Sequence, residues 1–164
     1  MHVWLIGMMG SGKTTVGALL SDRTGRPFHD VDRTVQDRLG TSIQALWERE
    51  GEDAFRAVEA AVIAELAAGE DAIISTGGGA ILRKSNREAM RRTGTVVWLE
   101  AEPAILAARL HGATDRPVLA GGGEARLAGL ITERLPAYEA AAHERVNTGE
   151  RAPGEVAAEL EHLL

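Results

Sequence analysis

The sequence predicts an α/β protein with a three-layer, doubly wound parallel β-sheet of about five strands. Short apolar runs alternate with segments of helical periodicity along the 164 residues, an order that produces a parallel sheet covered by helices. A glycine-rich loop joins the first apolar run to the first helical segment. Neither an internal repeat nor a domain linker interrupts this order, so we expect residues 1–164 to form a single domain.

The first strand and the first helix flank the glycine-rich loop. Val3 to Ile6 is a short apolar run that ends at a glycine, and Thr14 to Thr24 carries apolar residues at helical spacing. A Gly-Arg-Pro tripeptide at 25–27 is typical of a helix end. Phe28 to Val31 is therefore predicted to be the second strand.

A long helical pattern follows from residue 33 to residue 68. Apolar residues recur at steps of three and four, and the pattern is broken near Gly40 and Gly51. A crossover between parallel strands needs only about a dozen residues, so this segment is too long for one crossover. We expect residues 33–68 to form a helical insert that builds one wall of a substrate-binding cleft.

The second half of the chain continues the alternation. Three further strands are predicted at Ala72–Ser75, Thr95–Leu99 and Arg145–Asn147. Helices are predicted at 84–92, 103–111 and 125–142, and a closing helix begins at Pro153, a position where proline is well tolerated. Residues 111–124 carry four glycines and little apolar periodicity, which predicts a mobile surface loop; the family resemblance given below implies that it is a lid.

Composition and charge exclude several classes of protein. A net charge of -6 and a pI near 5.4 disfavour a nucleic-acid-binding protein, which would carry a basic surface. The chain has no cysteine, which excludes disulfides and thiolate metal sites and suits a reducing compartment. It also has no signal-like N-terminus and no apolar stretch of 18 residues. We therefore expect a cytoplasmic protein that binds neither nucleic acid nor membranes.

The loop at residues 7–14, GMMGSGKT, matches the P-loop pattern GxxxxGK[ST] in the strand-loop-helix context that this motif requires. Glycines let backbone N–H groups turn toward phosphate oxygens, and the N-terminus of the following helix adds positive potential. We expect Lys13 to contact the β- and γ-phosphates and the Thr14 hydroxyl to bind magnesium. The position of Thr15, beside Thr14, fits an ordinary helix residue better than a binding role. The nucleotide-binding residues predicted here are Gly10, Ser11, Gly12, Lys13, Thr14 and Thr15.

Two aspartates stand two residues apart at the end of the second predicted strand. If the strand continues, the side chains of Asp30 and Asp32 point the same way. Two carboxylates near a triphosphate can hold magnesium or orient a hydroxyl group. An N-cap role for Asp32, ahead of the next helix, explains the same spacing equally well.

Three further features could face the phosphates. Arg56 and Glu59 share one helix face at i, i+3, where a surface ion pair is the ordinary interpretation. Three consecutive glycines at 77–79 follow a buried strand, which favours close approach of a ligand over a plain flexible turn. Arg116 in the lid loop and Arg134 in the next helix could close over an anionic substrate, although each alone is typical of a surface charge.

Taken in order, these segments resemble the shikimate kinases. The matching segments are GMMGSGKTT, DVD, FRAVE, TGGGA, DRPVL, RLPAY and ERAPG, which together span residues 7 to 154. The resemblance implies that a monomer uses ATP and Mg²⁺ to phosphorylate the 3-hydroxyl of shikimate, giving shikimate 3-phosphate and ADP in chorismate biosynthesis. The lid reads RPVL where RPLL is usual, and a glycine-rich tail follows, which bears on lid motion rather than on substrate class.

The resemblance also implies roles for individual residues. Asp30 would help hold magnesium through water, and Asp32 would contact the shikimate hydroxyls and accept a proton. Arg56 and Arg134 would bind the shikimate carboxylate, with Glu59 orienting Arg56. The implied catalytic residues are Lys13, Asp32 and Arg116. The implied shikimate-binding residues are Asp32, Arg56, Gly77, Gly78, Gly79 and Arg134. Positions that flank adenine or the nucleotide phosphates in the family are occupied by Arg109, Arg116, Arg151 and Pro153.

Three alternatives remain open at this point. Another small P-loop kinase, such as a gluconate kinase, would share the phosphate site, although the triple glycine with Arg56 and Arg134 argues against it. A nucleotide-dependent switch would have no small substrate, and the chain lacks the NKxD guanine motif. An inactive homologue is disfavoured because every candidate residue is present.

Overall fold

The computed structural model describes residues 1–111 and 123–164, which contain a five-stranded sheet in the order β2-β3-β1-β4-β5. All four strand pairings are parallel. The strands are β1 (His2–Ile6), β2 (Phe28–Asp30), β3 (Ile73–Ser75), β4 (Gly94–Glu100) and β5 (Glu144–Asn147). The predicted fold class, a doubly wound parallel sheet with helices on both faces, is confirmed.

Seven α-helices connect and cover the strands within the described ranges. They are α1 (Lys13–Thr24), α2 (Val31–Leu39), α3 (Ile43–Ala67), α4 (Lys84–Thr93), α5 (Pro103–Arg109), α6 (Gly123–Ala141) and α7 (Pro153–Leu160). Single turns of 3₁₀-helix lie at Ala80–Leu82 and Glu161–Leu163. Proline occupies the first turn of α7, as the sequence predicted. None of these helices is long and apolar enough to cross a membrane.

The second strand is one residue shorter than predicted. As a result, Asp30 rather than Asp32 is the N-cap of the next helix. The strand prediction through Val31 was wrong, because Val31 is the first residue of α2. Asp30 is the N-cap of that helix, and its Oδ1 accepts a hydrogen bond from the Arg33 backbone N–H at 3.1 Å. The N-cap role considered for Asp32 is therefore wrong, since Asp32 lies inside the first turn of α2.

The predicted helical segment 33–68 consists of α2 and α3. The predicted breaks are both present, since Gly40 caps α2 in a left-handed conformation and Gly51 interrupts α3 with φ 85° and ψ 176°. After that interruption, four residues on one face of α3 are buried at steps of four, three and one: Phe55, Glu59, Val62 and Ile63. The part of α3 after Gly51 therefore has one buried face, which packs into the core together with α2 and α4, and the glutamate lies on that face.

The central strand β1 separates two hydrophobic cores. Its side chains alternate between the two faces of the sheet, so Val3 and Leu5 pack with α1 and α7, while Trp4 and Ile6 pack with the remaining helices. All five residues of β1 are buried, as expected for a strand with helices on both faces. This packing fixes the register in which the carboxyl ends of the strands meet.

Parallel pairing brings the carboxyl ends of all five strands to one edge of the sheet. Loops that begin at Gly7, Thr76, Ala101 and Thr148 leave four of the strands at this edge, and α2 follows β2 there directly at Val31. Ligands of doubly wound sheets bind along such an edge. The predicted lid loop, with Arg116, lies outside the described residues except for its two ends.

Candidate active site

The P-loop connects β1 to α1 and has the backbone conformation that its glycines permit. Gly10 and Gly12 have φ values of 81° and 95°, which residues with a side chain rarely adopt. Gly12 is the N-cap of α1, so the unpaired N–H groups of the first turn lie at the end of the loop. This arrangement supplies main-chain donors and a helix N-terminus to an anion.

Lys13 lies across this loop. Its side chain is 8% exposed, and Nζ donates to the carbonyl oxygens of Gly7 and Met8, each at 2.9 Å. Both of these acceptors are neutral carbonyl oxygens of the backbone. These two contacts hold the ammonium group against the backbone of the P-loop.

Thr14 and Asp30 form a pair of oxygen ligands beside the P-loop. The Thr14 hydroxyl donates to Asp30 Oδ2 at 2.7 Å, which joins the first turn of α1 to the end of β2. A hydroxyl and a carboxylate are hard oxygen donors of the kind that Mg²⁺ binds together with phosphate oxygens and water. Within the described residues, no three His, Cys, Asp or Glu side chains cluster as a metal site.

At the other end of the site, Arg56 is held by acidic and aromatic neighbours. Its Nη1 donates to Glu59 Oε2 at 2.9 Å, and its Nε lies 3.4 Å from Glu52 Oε1. Its guanidinium carbon lies 5.0 Å from the Phe55 ring centroid and 5.8 Å from that of Trp47. These contacts fix the planar guanidinium, a group that binds carboxylates through two parallel hydrogen bonds.

Glu59 is fully buried, contrary to the surface ion pair considered from the sequence. Its side chain has no exposed surface, and Oε1 has no hydrogen-bond partner within the described residues. Burial raises the pKa of Glu59, while the ion pair with Arg56 opposes the rise and the charge of Asp32 adds to it. The residue is therefore a buried anchor for Arg56 rather than one half of a solvated pair.

The three glycines after β3 leave room for these side chains. A Cβ on Gly79 would overlap Nη2 of Arg56, and a Cβ on Gly77 would lie 2.8 Å from Asp32 Oδ1 and 2.9 Å from Glu59 Oε1. The sequence argument expected a ligand to approach these glycines closely, and that expectation stays a prediction. Side chains of the cleft itself occupy the space beside Gly77 and Gly79. A residue with a side chain at either position would displace those side chains.

Arg134 enters the same end of the cleft from α6. It is 4% exposed, its Nη1 lies 4.0 Å from the Met8 sulfur, and its Nε has no hydrogen-bond partner within the described residues. A buried guanidinium whose nearest neighbours include a thioether and glycine backbone keeps donors available for a ligand. Arg134 is thus not the solvated surface charge that its sequence position alone would suggest.

The predicted adenine-flanking residues have partners of their own. Arg109 donates to the carbonyl oxygens of Gly10, Thr148 and Gly149 at 3.1, 2.6 and 2.9 Å, which ties the P-loop to the loop after β5. Arg151 forms an ion pair with Glu159 at 2.6 Å. The three predicted residues nevertheless lie around one end of the cleft, with Pro153 at the start of α7.

One cleft with a volume of 1210 Å³ connects all of these groups. Every predicted site residue within the described ranges lines it, including Thr15, whereas Arg116 lies outside those ranges. The P-loop forms one part of the wall, and Asp32, Arg56 and Arg134 form another. The cleft can therefore hold a triphosphate at one end and a small anion with hydroxyl groups at the other.

Sequence reasoning missed three residues that support the site. Trp47 lines the cleft beside Arg56, and Tyr138 donates a hydrogen bond to the Gly78 carbonyl at 2.6 Å. The buried Thr148 hydroxyl lies 3.0 Å from the Ser11 carbonyl oxygen. Thr148 follows a predicted strand end, which was an available signal, but the tryptophan and the tyrosine fitted ordinary core periodicity.

Comparison with known proteins gives the same family from a family model and from individual relatives. The shikimate kinase family model matches residues 9–164. A shikimate kinase of Symbiobacterium thermophilum is 49% identical over all of this chain and 96% of its own length. One from Nitrosospira multiformis is 42% identical over 99% of this chain and 84% of its own length.

Solved structures agree with these sequence relatives. A shikimate kinase from Acinetobacter baumannii in complex with shikimate superposes with a TM-score of 0.95 at 35% identity, covering 99% of this chain and 91% of that one. A gluconokinase from Sinorhizobium meliloti has a TM-score of 0.57 at 19% identity, covering 98% and 89% of the two chains. The second likeness shows a shared fold alone.

Proposed function

The chain belongs to the shikimate kinase family, and we propose that its cleft transfers the γ-phosphoryl group of ATP to the 3-hydroxyl of shikimate. The products are shikimate 3-phosphate and ADP. One observation carries the assignment: a single cleft joins the P-loop to two arginines and an aspartate that suit a hydroxylated carboxylate. Phosphoryl transfer needs the donor and the acceptor in line, and one continuous cleft supplies that geometry.

We propose that Lys13, with the main-chain donors of Gly10, Ser11 and Gly12, holds the ATP phosphates. Magnesium, when bound, would neutralise charge on the transferred phosphoryl group, and Thr14 and Asp30 fit it as oxygen ligands. By resemblance to the family, Asp30 would act through water.

At the acceptor end, Asp32 orients the 3-hydroxyl and accepts its proton as that oxygen attacks the γ-phosphorus. The bond from phosphorus to the bridging oxygen breaks, and ADP leaves with the electron pair. Arg56 and Arg134 bind the shikimate carboxylate, and Glu59 keeps Arg56 in place. The glycines at 77–79 let the substrate and these side chains share the same small space.

The remaining assignments rest on resemblance to the family. Arg116 of the lid loop stabilises the transferred phosphoryl group, and residues 111–124 close over the nucleotide. Arg109, Arg151 and Pro153 flank the adenine, and Thr15 lies beside the phosphates. Their shared location around the nucleotide end of the cleft supports the assignment for all except Arg116, which lies outside the described residues.

The organisation of the protein is also a proposal. We propose one kinase domain over residues 1–164, with the helical substrate-binding segment at 33–68, acting as a cytoplasmic monomer. The absence of cysteine suits a reducing compartment. Size-exclusion chromatography with light scattering tests the oligomeric state, and a mass of 17.4 kDa is expected.

The experiment that tests the proposed function measures ADP release with MgATP and a panel of acceptors. The panel contains shikimate, gluconate, nucleoside monophosphates and no acceptor. Release that depends on shikimate alone is expected. Release with gluconate would point to the other small-molecule kinases that share this fold, and release that no acceptor changes would point to a nucleotide-dependent switch.

A further inference from the structure

We propose that Tyr138 is a positioning residue whose hydroxyl sets the place of the Gly77–Gly79 loop beneath shikimate. The proposal rests on the function proposed above, because it concerns the acceptor end of the same cleft. Tyr138 lies one turn after Arg134 on α6, and its hydroxyl donates to the Gly78 carbonyl oxygen at 2.6 Å. One side chain thus joins the helix that carries a carboxylate-binding arginine to the loop that lies against Asp32, Glu59 and Arg56.

The hydrogen bonds of the loop single out this contact. The carbonyl oxygens of Gly77 and Gly79 accept from Ala80 and Leu82, both at 3.1 Å and both within the same turn. The carbonyl of Gly78, by contrast, is bonded by Tyr138 from another element. Glycines have no side chain with which to pack, so a loop of three needs external hydrogen bonds to stay in one place.

The ring of Tyr138 is fixed from behind. It stacks on Trp98 of β4 with centroids 5.3 Å apart and an interplanar angle of 7°, and Arg145 covers the other face of Trp98 at 4.4 Å. The tyrosine ring is 1% exposed. This stack aims the hydroxyl at Gly78 and gives α6 a rigid reference in the sheet.

Two features of the surroundings bear on what loss of the hydroxyl would do. Pro136 lies inside α6 between Arg134 and Tyr138, so the helix lacks one internal N–H donor at this point. A small pocket of about 40 Å³ borders the ring and is lined by Met8, Trp98, Ile131 and Tyr138 among others. Burial also raises the pKa of Tyr138, so the group remains a donor throughout the working pH range.

The direct test is Tyr138→Phe, which keeps the ring and removes the hydroxyl. We expect the KM for shikimate and its Kd without nucleotide to rise about three- to tenfold, the range for loss of one neutral hydrogen bond. The KM for ATP should stay within about twofold, because the nucleotide end makes no contact with this hydroxyl. Equal rises in both KM values, or no rise in either, would overturn the proposal.

A matched control removes a hydrogen bond at the opposite end of the sheet. Thr93→Val deletes the hydroxyl that accepts from Trp4 Nε1 at 3.2 Å, before the start of β4. This variant should lower Tm with unchanged kinetic constants. If Thr93→Val raises the KM for shikimate as much as Tyr138→Phe does, general destabilisation explains both results and the positioning role is wrong.

A second variant covers the case in which Tyr138→Phe does not fold. Trp98→Phe keeps the tyrosine hydroxyl and shortens the aromatic surface that aims it. It should raise the KM for shikimate by a smaller factor and leave the KM for ATP unchanged; an effect confined to ATP would contradict the proposal. Wild-type activity with shikimate is measured in parallel, so failure of the proposed function is distinguished from failure of this inference.

Discussion

The two ends of the cleft are built in different ways. At the nucleotide end, the proposed phosphate-binding groups belong to one continuous segment, residues 7–14, and most of them are main-chain atoms held by left-handed glycines. At the acceptor end, the binding groups are charged side chains from α2, α3 and α6, gathered around three glycines of the loop after β3. The first end is local in sequence, whereas the second exists only after the chain has folded.

The two ends also differ in the desolvation cost of their buried charged groups. Main-chain donors bind phosphate without burying any charge of the protein, and the burial cost falls mainly on Lys13. The acceptor end buries Glu59 and Arg134 almost completely, and each has a polar atom without a hydrogen-bond partner in the described part of the chain. Such atoms carry a desolvation cost, which a ligand that supplies the missing partners would relieve.

If the two ends act separately, removing the Lys13 side chain should lower kcat more than any other change considered and should leave the binding of shikimate unchanged. Lys13→Ala is expected to lower kcat on the order of 10³-fold, because it removes a preorganised charge from the transferred phosphoryl group. The Kd for shikimate, measured by calorimetry without nucleotide, should change by less than about twofold. A large loss of shikimate affinity would show that the two ends are coupled.

The converse change at the acceptor end is Arg56→Ala. We expect the KM for shikimate to rise by about 30-fold or more, as for loss of one partner of a buried charged hydrogen bond, while ATP binding persists. Arg49→Ala is the control, because Arg49 lies on the same helix in an exposed pair with Glu50. Wild-type turnover of Arg56→Ala with shikimate would mean that the carboxylate is bound elsewhere.

The glycine loop offers a matched pair of substitutions. Gly79→Ala places a methyl group on Arg56 Nη2, whereas the nearest atom to a Cβ on Gly78 is the Gly7 carbonyl at 3.4 Å, an ordinary contact. Gly79→Ala should raise the KM for shikimate about tenfold by turning Arg56 aside, and Gly78→Ala about threefold or less. Steady-state kinetics with both substrates measures the effect, and equal effects of the two variants would refute the steric explanation.

The smallest expected effect is that of Glu59→Gln on the free energy of unfolding. Its folded-state pKa is raised above the ordinary value of 4.5, so its contribution is fully present below that pH and is lost as the pH rises through the folded-state pKa. The free energy of unfolding of the wild type, relative to Glu59→Gln, should therefore fall as the pH rises from 4 to 7.5 in urea titrations.

The control for this measurement is Glu52→Gln. Glu52 also lies beside Arg56, but its side chain is half exposed. Comparison with Glu52→Gln therefore separates the effect of a buried carboxylate from the effect of removing any carboxylate beside Arg56. A wild-type advantage over Glu59→Gln that grows with pH would contradict the burial argument.

The fold and the nucleotide end were predictable because their signals are local. The alternation of strands and helices, the breaks at Gly40 and Gly51 and the P-loop all follow from residues within a few positions of one another. Strand boundaries were less exact, and the one at Val31 moved because the Asp30 side chain caps α2. The capping hydrogen bond from Arg33 to Asp30 favours a helix start at Val31 over one more residue of strand. Apolar periodicity alone does not predict such a bond.

At the acceptor end, the sequence by itself determined which residue types were available and, through resemblance, which positions to suspect. Only the tertiary structure decided that Glu59 is buried, that Gly77 and Gly79 make room for Asp32, Glu59 and Arg56, and that Tyr138 reaches the Gly78 carbonyl. The physical reason is that burial and contact depend on which elements the parallel sheet brings together. Local spacing specifies a helix face but not the surface that comes to lie against it.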